Sequence, residues 1–160
     1  MKKTLTISLM MAFALAAAAR AQAQQDPLMG TWKLNLAKSK YDPVSLTPKG
    51  PTIVKREASG NGYKVTTDGM DAQGAATHTE YTVATLDGKD YPLTGSQGYN
   101  TQSIRKIDAN TLLYVNKQNG AVVRMVRVAV SRDGKTSTNA SVGVNAQGVA
   151  FHHVVVYEKQ

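Results

Sequence analysis

From Thr31 onward, apolar and polar residues alternate in short runs. In residues 31–36, Trp32, Leu34 and Leu36 fall on one side and Lys33 and Asn35 on the other. That is the two-residue period of a strand with one buried face. Runs of the same kind, rich in Val, Thr, Ile and Tyr, recur at 52–58, 63–67, 77–85, 91–94, 102–107, 111–117, 122–131, 135–144 and 149–158. Turn formers separate them: Ser59-Gly60-Asn61-Gly62, Asp68-Gly69, Asp87-Gly88, Asp108-Ala109-Asn110, Asn119-Gly120, Asp133-Gly134 and Asn145-Ala146-Gln147-Gly148. Asn-Gly and Asp-Gly pairs supply the positive φ angles of tight hairpins. Hairpin after hairpin predicts an antiparallel meander, and closing the meander removes its exposed edges. The pattern therefore predicts an all-β domain, a single up-and-down antiparallel β-barrel of about 8–10 strands.

Two segments break the rhythm. Residues 37–51 carry Pro43, Pro48 and Pro51, which predicts an extended connection and not a helix. Residues 95–101 read as a solvated loop, which could alternatively gate a barrel mouth. Asp71-Ala72-Gln73-Gly74 and Asn145-Ala146-Gln147-Gly148 echo each other, each with a histidine four residues on. Similar hairpin chemistry accounts for the echo more simply than duplication does.

The chain opens differently. Met1-Lys2-Lys3 is followed by an apolar stretch over residues 5–19, then by Ala19-Arg20-Ala21-Gln22-Ala23. A basic start, an apolar run and small residues at A-x-A spacing predict a cleavable signal peptide over residues 1–23, with Ala21 as the second choice of cut. The apolar run is short for a bilayer span. A domain over residues 24–160 is long enough for a real core. Without Lys2, Lys3 and Arg20 the basic count falls from 19 to 16 against 11 acidic residues, so the net charge falls from +8 to +5. No basic block interleaved with aromatics appears, which argues against nucleic acid. The chain has no cysteine. A periplasmic or secreted protein built this way is stabilised by burial and sheet closure, not by disulfides.

Gly30-Thr31-Trp32-Lys33-Leu34 resembles the first-strand signature of the calycins, the lipocalins, fatty-acid-binding proteins and avidins. Val156-Tyr157-Glu158-Lys159 is similar to the closing strand of fatty-acid-binding proteins. The stretch from Gly30 to Lys40 also resembles the start of small exported bacterial lipocalin-like domains. The resemblance implies a calycin-type barrel around a small hydrophobic or amphipathic ligand. Two departures stand out. Fatty-acid-binding proteins carry a helical pair after the first strand, for which residues 37–51 are too short. They also use Arg-x-Tyr on the last strand; Tyr157 matches the tyrosine, but Val155 occupies the arginine's place.

The candidate ligand-binding residues are Trp32, Phe151, Val155, Tyr157 and one of Arg124 and Arg127. Trp32 reads first as a plug for the closed end. Arg124 and Arg127 are an odd number apart on one strand, so one points in and the other out. Likeness to fatty-acid-binding proteins favours Arg127 inside; the apolar face of Val122, Val126, Val128 and Val130 favours Arg124. An inward arginine could equally stack on Trp32 or a tyrosine as structural glue. His152 and His153 diverge as strand neighbours, and with no cysteine a zinc site is not expected. Asp68 with Asp71, and Asp87 with Asp90, read as turn formers and not as calcium ligands. No nucleophile-elbow, zinc-protease or phosphate-loop pattern occurs. These features predict a non-enzymatic binding module with no cofactor and no metal. The alternative is a side-chain-filled barrel that binds another protein, as a protease inhibitor or an envelope-complex component.

Overall fold

The computed structural model describes residues 26–93 and 98–160. The leader over residues 1–23, and residues 94–97 at the end of one run and the start of the 95–101 loop, lie outside the described residues. Eleven strands form one antiparallel sheet: β1 (Gly30–Leu34), β2 (Lys40–Asp42), β3 (Ile53–Ser59), β4 (Gly62–Met70), β5 (Ala76–Val83), β6 (Tyr91–Pro92), β7 (Thr101–Asp108), β8 (Thr111–Gln118), β9 (Ala121–Val130), β10 (Thr136–Val144) and β11 (Ala150–Lys159). The bonded order is β5-β4-β3-β1-β11-β10-β9-β8-β7-β6, with β2 added beside β11. Chain neighbours pair as hairpins nearly throughout. The exceptions are β5 and β6, which do not pair, β2, which pairs β11, and β1, which lies between β3 and β11 and so ties the two ends of the domain together. The all-β antiparallel up-and-down barrel predicted from turn spacing is the fold observed, with eleven strands in place of about 8–10.

The sheet curls until its end strands face each other without bonding. Thr82 and Val83 of β5 line one space with Tyr91 and Pro92 of β6, yet β5 and β6 are not paired. β6 is two residues long, and Pro92 has no N–H to donate, so this edge cannot close the barrel. The chain crosses the seam just after β5. There Asp87 bridges to Arg105, and the Gly88 N–H donates to the Ile104 carbonyl at 2.9 Å.

One end of the barrel is packed solid. Tyr63, Leu112 and Val130 follow or precede the turns at that end, and Leu28 and Trp32 join them in a single apolar cluster. Trp32 is fully buried, with Lys159 Nζ 5.1 Å from its ring centre. The cation that meets the indole is therefore Lys159 and neither Arg124 nor Arg127.

Several sequence expectations need correction. Asp68-Gly69 is not a turn. β4 runs on to Met70, and Gly69 lies opposite Thr77 in the ladder. A Cβ on Gly69 would come within 2.7 Å of Thr52 Oγ1, so a close neighbouring side chain explains the glycine. Leu36 does not share the buried face of Trp32 and Leu34, because β1 ends at Leu34 and Leu36 opens a single 3₁₀ turn, Leu36–Lys38. Residues 37–51 are more ordered than an extended connection: they hold β2 and a second 3₁₀ turn, Val44–Leu46. Val122 leaves the inner face because the β8–β9 register shifts between Asn116 and Lys117. The Asp71 and Asn145 echo is hairpin chemistry. Each carboxylate or amide oxygen accepts from the backbone N–H two and four residues on, at 2.8–3.0 Å. Gly74 and Gly148 supply the positive φ in each.

Candidate functional site

Strand parity decides what faces the interior, since residues directly opposite on paired strands share a face. Arg124 pairs with Asn116 on β8 and Gly143 on β10. Arg56 pairs with Val65 on β4, which in turn faces Tyr81 on β5. Tyr157 pairs with Ser137 and Leu34. Curling brings these rows around a cavity of about 580 Å³, whose lining includes Arg56, Arg124, Tyr81, Tyr114, Tyr157 and Asn139. The volume lies within the range of pockets that take small molecules.

The electrostatics are one-sided. Arg56 is only 6% exposed, and its Nε and Nη1 are buried with no protein acceptor; Arg124 Nε is in the same condition. The cavity lining contains no Asp or Glu among the described residues. Burial pushes the Tyr81 and Tyr157 hydroxyls above the ordinary phenol range, while Arg56 and Arg124 both pull them down. Both therefore remain neutral donors near pH 7. Tyr63 and Tyr114 satisfy each other through their hydroxyls, and burial, followed by the neighbouring Tyr114 phenol, raises the Tyr63 hydroxyl above the ordinary phenol range. Gln102 Nε2 donates to Asn116 Oδ1 at 2.9 Å within the buried wall. The interior offers two cations and several neutral donors, and it lacks a fixed anion among the described residues. An acceptor-rich or anionic guest suits it.

The six sequence candidates divide. Arg124 and Tyr157 line the cavity. Arg127 is exposed on the outer face, opposite Leu113 and Ala140, so the apolar-face argument was the better guide to strand parity. Val155 is buried on the inner face of β11, but it is not among the cavity-lining residues. Trp32 belongs to the packed end. Phe151 stacks on His153, with ring centres 4.7 Å apart, near the β2 clasp and away from the cavity lining. Arg56 was missed. Its signal was present in the alternation of Val54, Arg56 and Ala58, which sets a guanidinium on the buried parity of β3.

His153 and His152 do diverge. His153 Nδ1 accepts the Asp42 N–H at 3.2 Å, and His152 is exposed. His78, which is among the residues that line the cavity, pairs with Asp68 at 2.6 Å where both are exposed to solvent. Among the described residues no group of three or more His, Cys, Asp or Glu is placed to hold a metal, and no helix is long and apolar enough to cross a membrane.

No family model matches the chain, and no curated protein sequence matches it. Among solved structures, the zebrafish ileal bile acid-binding protein in complex with cholic acid is similar in fold. The TM-score is 0.51 at 16% identity, covering 84% of this chain and 99% of that one.

Proposed function

We propose that the barrel is a non-enzymatic binding module whose interior takes a small amphipathic molecule with an anionic head, held between Arg56 and Arg124. The observation that carries this reading is the pair of inward guanidiniums with buried, unpartnered nitrogens and no carboxylate in the lining among the described residues. A guanidinium cannot shed its proton, so it needs an anion or acceptors around it. Tyr157 and Tyr81 add neutral donors beside the cations. The bile acid held by the similar zebrafish barrel is itself an amphipathic anion, which agrees with this chemistry. The lining is more polar than the ligand first expected from sequence, so the head makes more of the contacts than a purely apolar guest would need. The reading also places the protein outside the cytoplasm, after loss of residues 1–23; an intact mass beginning at Gln24 supports that, and a full-length mass contradicts it.

The test compares Arg124→Met with Arg127→Met, using an acidic fluorescent lipid probe. Both keep bulk and remove charge. Losing one charge-assisted contact should weaken probe binding about tenfold or more in Arg124→Met, and Arg127→Met should bind as the parent does. Equal binding by both variants overturns the reading.

A second reading, a protein-binding outer surface, rests on one feature. Met125 and Val142 are cross-strand partners on the outer face of β9 and β10, and they are 41% and 50% exposed. Loss of a protein partner in Met125→Lys, with probe binding intact, would favour it.

A further inference from the structure

The open seam holds a second, smaller space of about 130 Å³. Val83, Ala84, Pro92, Leu93 and Ile104 give it an apolar lining, to which Thr82, Thr85 and Tyr91 add. Val83, Leu93 and Ile104 are each buried, so apolar core side chains form part of its lining. Gln102 is the one described residue that lines both this space and the main cavity. Its side-chain amide donates to Asn116 Oδ1 at 2.9 Å.

The two spaces differ in chemistry as the two ends of an amphipathic molecule differ. We propose that the seam space is a tail subsite: a ligand whose anionic head lies at Arg56 and Arg124 runs its aliphatic tail past Gln102 and into the cleft between β5 and β6. This inference rests on the binding function proposed above. It adds where the tail goes and how much of it the protein covers. At roughly 30 Å³ for a water-sized group, the seam space accommodates about four methylenes. The seam is held open by the chain itself, through the two-residue β6, Pro92 and the crossing at Asp87. The subsite therefore needs no rearranged strand pairing to admit a tail.

The experiment displaces 1-anilinonaphthalene-8-sulfonate with straight-chain carboxylates of increasing length, in the parent, Ala84→Phe, Val83→Ala and Arg124→Met proteins. Each methylene entering an apolar space should improve affinity about threefold to fourfold. In the parent, affinity should climb with length and then level off. Ala84→Phe fills part of the space and should level off up to about four methylenes earlier, with the shortest carboxylates bound as in the parent. Val83→Ala enlarges the space and should level off later. A shift in opposite directions in two folded variants, checked by their thermal midpoints, is not produced by damage to the fold. The same levelling length in all three proteins overturns the tail subsite, while a loss of the shortest carboxylates in Arg124→Met still upholds the head site. Failure of carboxylates of every length to bind the parent overturns both.

Discussion

Replacing Arg56 with methionine should make the ligand-free protein more stable and leave it unable to hold an anion. Arg56 is 6% exposed, and its Nε and Nη1 are buried with no protein acceptor. A buried donor left unpaired costs about 1–3 kcal/mol, and a charged group costs more. Methionine keeps most of the aliphatic stem against Val54 and Val65 and removes the charged head. Replacing buried charge by a well-packed apolar side chain is often neutral or stabilising by about 1–4 kcal/mol. We therefore expect a net gain of about 1–3 kcal/mol in the absence of ligand. With a urea slope of about 2 kcal/mol/M for a domain of this size, the midpoint should rise by about 0.5–1.5 M. Urea titration followed by tyrosine and Trp32 fluorescence measures it, and an acidic probe added to the same protein should bind at least about tenfold more weakly than to the parent. Destabilisation by more than about 1 kcal/mol would show that Arg56 is structural glue and would refute the reasoning.

Trp32→Ala should cost about 3–5 kcal/mol in the same titration, because the indole is fully buried in the packed end; a cost below about 1 kcal/mol contradicts the plug role. Acidification should loosen the β2 clasp. Burial holds His153 below the ordinary histidine range, with Arg124 adding to the effect, while Asp42 opposes it. The unfolded chain then takes up a proton that the folded chain refuses, so stability is lost as the pH falls below about 6.5. His153→Gln should flatten that part of the stability profile measured between about pH 7 and 5, and an unchanged slope would place the titration elsewhere.

The fold was legible because it is written in local chemistry. Asn119-Gly120 and the Asx-Ala-Gln-Gly turns impose positive φ angles and Asx bonds that few other residues supply, so hairpins and their order follow from sequence. β2 was not legible. Lys40–Asp42 is three residues long and runs straight into Pro43, and it is a strand only because β11 offers a free edge there. Gly69 misled for a related reason: a glycine after an aspartate marks a turn locally, but here it answers the approach of Thr52, which leads into the neighbouring strand β3. The site was half legible. Arg124 and Tyr157 follow from alternation on long strands, whereas Trp32 and Phe151 were drawn in by their size and lie outside the lining. Whether an inward aromatic touches a cavity or a packed end depends on the stagger of paired strands, which alternation alone does not reveal. Arg56 was legible in principle from the alternation of β3, in which Lys55 and Glu57 take the opposite parity and pair with each other outside, at 2.9 Å.

In the proposed function Arg56 and Arg124 hold an anionic small molecule between them. Native mass spectrometry of the protein purified from its own host, run in parallel on the parent and on Arg56→Met, checks this. One small acidic molecule should be retained per chain in the parent and none in the variant. Parent protein without any adduct, or the same molecule retained equally by both, would contradict it.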